Sequence, residues 1–146
     1  MFVGHVGVNV TDLDRSIAFY QRVFGFEVLS VPDLGDSGRY ARLGKDGTLV
    51  LTLWQQSSGS FSPDTPGLHH LAFQTGTAAE ISQTREVLEE IGARFAYDGI
   101  VPHREGAASG GLFFFDPDGT RLEISTAHAP VTAPAPSKTA PTCGFF

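Results

Sequence analysis

The sequence predicts an α+β fold: paired βαβββ modules forming a cupped, eight-stranded open-barrel sheet with two flanking helices. Three observations carry this reading: an internal repeat, an amphipathic segment after each copy of it, and an Asp-Gly turn signal near the end of each half. His5-Val6-Gly7-Val8-Asn9-Val10 lies over His70-Leu71-Ala72-Phe73-Gln74-Thr75, matching His with His, small with small and amide with amide. Self-similarity of this kind marks a duplicated supersecondary unit. Both segments alternate with period two, as a strand does when its faces differ chemically.

The elements follow in order. Leu13, Ile17, Tyr20 and Phe24 form one apolar stripe of a first helix, with Thr11 placed to cap its start and Gly25 to end it. Phe26-Glu27-Val28-Leu29 then reads as a short strand, and Asp46-Gly47 as a hairpin turn. In the second half Ile81, Leu88 and Ile91 make the stripe, Glu89 and Glu90 face solvent, and Gly92 stops the helix. Phe95-Ala96-Tyr97 is the matching short strand, and Pro117 precedes the second turn at Asp118-Gly119. This gives one domain over residues 1–126, with module one at 1–56, a Ser/Pro/Gly connector at 57–66 and module two at 67–126. Residues 127–146 are a Pro/Ala/Thr tail that suits neither helix nor central strand. Its apolar tip, Phe145-Phe146, is expected to dock in an apolar groove of this subunit or a partner.

Composition removes several function classes. The 146 residues are 41% hydrophobic and 18% charged, which suits a folded core. A formal charge of −6 argues against nucleic-acid binding, which needs clustered Lys and Arg. The one cysteine, Cys143, excludes an intrachain disulfide and a multi-cysteine zinc site. The first positive side chain is Arg15, so no basic secretory start is visible, and no apolar run approaches the roughly 20 residues of a membrane helix. A cytoplasmic location without a membrane partner is expected. Neither GxGxxG, GxxxxGK[ST] nor GxSxG occurs, which leaves phosphate-cradle and serine-hydrolase readings without support.

The repeat also groups candidate site residues. His5 and His70 hold equivalent positions, and Glu123 lies on the last strand in one face set with Arg121 and Ser125. If a pseudo-twofold relates the halves, two imidazoles and a carboxylate converge as a facial triad. Such a set suits Fe(II), Mn(II), Ni(II) or Zn(II). His69 is the rival of His70, but the register pairs it with Gly4 and points it to the other side or the edge. Asn9 and Gln74 share the triad's face and are candidates for substrate contact. Arg42, which with Arg39 flanks Tyr40, is a candidate for an anionic group, and Trp54 for stacking on a flat substrate. His103 and Arg104, which open a Gly-rich loop placed like a lid, are further candidates for substrate contact. No general base is identified.

Four segments together carry a family resemblance. They are His5 through Tyr20, Val23-Phe24-Gly25-Phe26, Gly67-Leu68-His69-His70-Leu71-Ala72-Phe73, and Phe115-Asp116-Pro117-Asp118-Gly119-Thr120-Arg121-Leu122-Glu123-Ile124. Over about residues 3–126 the chain resembles the vicinal oxygen chelate superfamily. That group includes glyoxalase I, fosfomycin-resistance enzymes, methylmalonyl-CoA epimerase, extradiol dioxygenases and bleomycin-resistance proteins. The resemblance implies a divalent metal on His5, His70 and Glu123 that stabilises substrate oxyanions. It also implies a homodimer. Glyoxalase I and the epimerase carry a fourth ligand on the last strand of the first half, where the Asp-Gly alignment places Leu51 and a slip of one residue gives Val50 or Thr52, none of them a good ligand. A strict glyoxalase is therefore disfavoured, and the fosfomycin-resistance and dioxygenase branches fit better. The expectation is a metal-dependent enzyme (lyase, isomerase, transferase or dioxygenase) acting on a small molecule with adjacent oxygen functions. The alternative is a protein that sequesters a drug or metabolite without catalysis.

Overall fold

A computed structural model describes residues 1–32 and 38–146, with the Phe145 side chain outside the described residues. The chain divides into two compact units, Met1–Phe61 and Ser62–Phe146. Among the described residues the regular elements are eight strands, two α-helices and a closing 3-10 turn. The strands form two four-stranded mixed sheets.

Unit one runs β1 (Val6–Val10), α1 (Leu13–Phe24), β2 (Glu27–Ser30), β3 (Tyr40–Lys45) and β4 (Thr48–Gln55). Its sheet order is β1-β4-β3-β2, with β1 parallel to β4 and the other pairs antiparallel. Alternation sorts the two faces. Val8, Val10, Ala41, Leu43, Leu51 and Leu53 are buried, as are Leu13, Phe19, Tyr20 and Val23 of α1. The buried stripe of α1 is thus Leu13, Ser16, Phe19, Tyr20 and Val23. Ile17 and Phe24, expected within it, lie at its half-buried edge. The cap also differs from expectation. Asp12, in extended backbone, accepts from the Arg15 amide, while the Thr11 hydroxyl accepts from the Arg15 guanidinium at 2.9 Å. An aspartate one residue later leaves the orphan amide within reach of a carboxylate, which caps at least as well as a threonine. Gly25 closes the helix as expected, at φ 64° with its amide donating to the Gln21 carbonyl.

The β3–β4 hairpin turns at Asp46 and Gly47, both with positive φ (50° and 73°), as a two-residue hairpin demands. Two steps up, the ladder skips: Gly44 faces Leu49 but Leu43 faces Leu51, so Val50 is an extra, bulged residue. The bulge corrects the alignment of the halves. β1 sets Val6 opposite Leu51 and Gly7 opposite Thr52, whereas in unit two Ala72 stands opposite Glu123. Thr52, buried at 4% exposure, therefore occupies the position equivalent to Glu123, and Leu51 does not.

Unit two runs β5 (Leu71–Gln74), α2 (Ala78–Glu90), β6 (Val101–Pro102), β7 (Gly110–Phe115) and β8 (Arg121–Thr126), then the 3-10 turn Thr142–Phe145. The order β5-β8-β7-β6 repeats that of unit one, again with a single parallel pair, β5 with β8. Thr77 caps α2 in a reciprocal box with Glu80, which the sequence reading did not assign. Ile81 and Leu88 are buried, but Ile91 is exposed, because the helix ends at Glu90. The strand expected at Phe95-Ala96-Tyr97 reduces to one bridge, Phe95 to Phe114. Gly99 at φ 126° turns the chain there, and pairing resumes only at Val101–Pro102. At the second turn the Asp116 carboxylate accepts from the amides of Asp118 and Thr120.

Residues after β8 are seated on unit two. The Ala129 amide donates to the Ala108 carbonyl, and the Thr132 hydroxyl accepts from the Ile100 amide. Thr142 binds three ways: its amide to the His103 carbonyl, its hydroxyl to the Pro102 carbonyl, and its own carbonyl to the Tyr97 hydroxyl. Phe146 is buried in a cluster with Val101 and Phe113.

Two substitutions on α2 separate capping from packing. Thr77→Ala removes the capping acceptor and is expected to cost about 0.5–2 kcal/mol. Leu88→Ala opens a cavity at a fully buried position and is expected to cost about 2–5 kcal/mol. Urea unfolding of the two variants beside the parent measures both; a cap loss that exceeds the core loss would contradict this account of the helix.

Candidate functional site

The centre of the site is Glu123, in the middle of β8, with Ala72 of β5 opposite on one side and Phe113 of β7 on the other. Period-two alternation puts Arg121, Glu123 and Ser125 on one face with Ala72, Gln74, Phe113 and Phe115. Glu123 is only 5% exposed. A carboxylate so enclosed needs donors, because losing water costs an ionised group several kcal/mol.

Two imidazoles supply them. His103 Nε2 lies 2.9 Å from Glu123 Oε1, and His70 Nε2 lies 3.3 Å from Oε2. Each ring has a second partner: His103 Nδ1 meets the Ser109 hydroxyl at 2.9 Å, and His70 Nδ1 meets His69 Nδ1 at 2.9 Å. An ionised carboxylate only accepts, so in the neutral rings both Nε2 atoms carry the proton. Ser109 then donates to His103, and His69 donates to His70. The result is a continuous chain, Ser109 to His103 to Glu123 from one side and His69 to His70 to Glu123 from the other. Burial lowers the His70 pKa below its usual 6.5, aided by His69 and Arg121, and this outweighs the pull of Glu123 toward the charged form. The His70–Glu123 contact at neutral pH is accordingly that of a neutral imidazole with a carboxylate.

The other expected residues fall as follows. His70 lies on the Glu123 face, and His69 is exposed beside it. Gln74 is on the same face two residues beyond Ala72 and is exposed, as is Arg104. In unit one His5 is exposed just before β1. Asn9 stands opposite Trp54 and Arg42 opposite Thr52, so these share one face of that sheet. Trp54 stacks on Tyr40 at 4.5 Å, and the Arg42 guanidinium lies 5.8 Å from the Tyr40 ring centre. Arg39 pairs with Asp14 at 2.9 Å and turns to α1 instead.

Imidazole nitrogen and carboxylate oxygen are the donors that divalent transition metals take, so the chemistry of the His70–Glu123 pair fits such an ion. Among the described residues, no three His, Cys, Asp or Glu side chains form a ready metal-holding group. Sequence reasoning placed His103 in a lid and missed its bond to Glu123. The strand register explains the contact: Pro102 faces Gly110 across the hairpin, so the next pair outward sets His103 against Ser109, two residues from Gly111 and four from Phe113 on the Glu123 face. The loop between them closes on itself, with the His103 amide donating to the Ser109 carbonyl.

The lowered His70 pKa gives a signed pH dependence. Between that pKa and 6.5 the unfolded chain binds a proton that the folded chain resists, so folding stability falls as the metal-free protein is acidified from pH 6.5 through the native value. Imidazole-resolved NMR titration is expected to show His70 titrating below 6.5, with urea midpoints declining over the same interval. A His70 midpoint at or above 6.5 would contradict the assignment.

With this geometry in hand, the comparisons with known proteins are consistent with one another. The model of the Glyoxalase/Bleomycin resistance protein/Dioxygenase superfamily matches residues 2–124. Catechol-2,3-dioxygenase of Bacillus subtilis (strain 168) is 32% identical over 126 residues, covering 84% of this chain and 40% of that protein. The chain thus spans 40% of the length of that dioxygenase. The trivalent organoarsenical cleaving enzyme of Bacillus sp. (strain MD1) is 28% identical over 143 residues, covering 98% of this chain and 83% of that protein. Among solved structures, a glyoxylase/bleomycin resistance protein/dioxygenase domain from Frankia sp. EAN1pec superposes with a TM-score of 0.73 at 26% identity, covering 86% of this chain and 91% of that one. The duplicated fold order, the His–Glu face and the family match agree, and the chain belongs to the glyoxalase/bleomycin resistance protein/dioxygenase superfamily.

Proposed function

We propose that this protein is a metal-dependent enzyme acting on a small molecule with adjacent oxygen functions, with His70 and Glu123 as two of its metal ligands. The observation that carries the reading is the enclosed Glu123 carboxylate with the His70 Nε2 atom 3.3 Å away. His5 is the proposed third ligand. It enters on the sequence repeat, as the counterpart of His70 at the start of the equivalent strand. A bound Fe(II), Mn(II), Ni(II) or Zn(II) ion supplies Lewis-acid stabilisation of a substrate oxyanion. The chain's own groups do the rest. His103 fixes the free oxygen of Glu123 and is itself held by Ser109. His69 orients the His70 ring from its far nitrogen. Gln74 and Arg104 in unit two, and Asn9, Arg42 and Trp54 in unit one, are the proposed substrate contacts. The enzymatic reading draws support from two relatives whose names describe a dioxygenase and an organoarsenical cleaving enzyme. A homodimer is the proposed assembly.

Metal content decides between this reading and sequestration without chemistry. Protein purified without added metal, then titrated with Mn(II) by calorimetry, is expected to bind one ion per chain. Glu123→Ala, His70→Ala and His5→Ala are expected to abolish binding, and His69→Ala to retain it. His103→Ala, which removes a partner of a ligand, is expected to weaken binding by about 10–100-fold. A protein that takes up no Mn(II), Fe(II), Ni(II) or Zn(II) yet binds an aromatic ligand would replace the enzyme with a sequestering module.

A further inference from the structure

We propose that segment 127–146 is a built-in occupant of unit two's ligand face: Phe146 fills an aryl subsite beside His70 and must withdraw before an aromatic ligand can enter. The proposal rests on the reading of the Glu123 face as the ligand face.

Phe146 is 7% exposed, and its neighbours belong to that face. Its ring lies 5.0 Å from Phe113, which stands opposite Glu123, and 6.1 Å from Phe115, which stands opposite Arg121. Both contacts are edge-to-face, the arrangement in which aromatic pairs attract most specifically. The His70 ring, one of the two that hold Glu123, is 5.8 Å away. Tyr97 completes the wall at 6.3 Å, and the Arg121 guanidinium lies 5.8 Å from the ring centre. One benzene-sized ring is therefore received by three aromatic edges or faces, a cation and an imidazole. That lining suits a monocyclic arene, and Arg121 favours one that is electron-rich or carries a negative group.

The way the segment is held suits release. Between β8 and the 3-10 turn it contains no strand or helix, and every one of residues 127–141 is exposed or half-buried. Its departure breaks no sheet ladder. The described hydrogen-bond anchors gather at Thr132 and its neighbour Ala133, both on Ile100, and at Thr142, with a further bond at Ala129. Thr142 grips the His103 and Pro102 carbonyls, at the root of the side chain that binds Glu123. Seating of Phe146 and positioning of the Glu123 carboxylate thus share one piece of backbone.

The test compares the full chain with a deletion of residues 142–146 and with Phe146→Ala, all treated with a chelator. The probe is 4-fluorobenzoate, followed by fluorine NMR. Both variants are expected to bind it at least about tenfold more tightly than the full chain, since apparent affinity scales with the fraction of open seat. The free peptide Thr-Cys-Gly-Phe-Phe is expected to displace the probe from the deletion variant. Circular dichroism checks folding; if the deletion variant is unfolded, Phe146→Ala, which keeps the residue that makes the Thr142 bonds, decides alone. Equal probe affinity in the full chain and the folded variants, or a peptide that fails to compete, would overturn the proposal. Because the assay is metal-free, a gain in arene affinity without Mn(II) binding would retain the plug and discard the metal reading. Mn(II) binding without that gain would do the reverse.

Discussion

A carboxylate placed in the middle of a sheet and shielded from water sets the terms for unit two. Glu123 has two oxygens to satisfy, and each is met by a different imidazole. That requirement reaches outward. His70 must sit immediately before β5 in register with Ala72, and His103 must leave β6 on the same face. Ser109 and His69 then have to settle which ring nitrogens carry protons. A single slip in the β5–β8 register would turn the His70 side chain to the opposite face and leave the carboxylate half-satisfied. The cost of that state, several kcal/mol for an unpaired buried charge, is what makes the register worth keeping.

Much of this was legible in residue order. The repeat of His-x-small-x-amide placed β1 and β5, and the Asp-Gly pairs placed the hairpins. What the sequence hid was geometric. Val50 looks like any other β-branched strand residue, yet as a bulge it moves the whole comparison of the halves by one, from Leu51 to Thr52. Phe95-Ala96-Tyr97 has good strand composition, but only Phe95 finds a partner strand. Asp12 and Thr11 are both competent caps, and choosing between them takes the backbone angles. The bond of His103 to Glu123 was not legible because a Gly-rich stretch reads as a loop, while its last glycines are in fact the start of β7.

Duplication here preserved the scaffold and let the chemistry diverge. Strand order and the parallel pairing are the same in each unit. At the equivalent central position one unit has threonine and the other glutamate. Around Thr52 lie Arg42, Tyr40 and Trp54, an aromatic and cationic surface; around Glu123 lie His70 and His103. A strand pair demands alternation of faces but not identity of side chains, so each copy could change its polar face while the helix-covered face stayed apolar.

The stacking of Trp54 on Tyr40 has an optical consequence. Trp54 is the one tryptophan of the chain, and it stands in β4 of unit one. Indole emission excited near the red edge therefore reports the surroundings of unit one's sheet, with the phenol ring 4.5 Å away as its immediate neighbour. Far-ultraviolet dichroism, by contrast, sums the helices and strands of both units. Superposition of the two signals during denaturation would mean that the units unfold together. A lag between them would resolve the two sheets as separate cooperative blocks, without any label having been added.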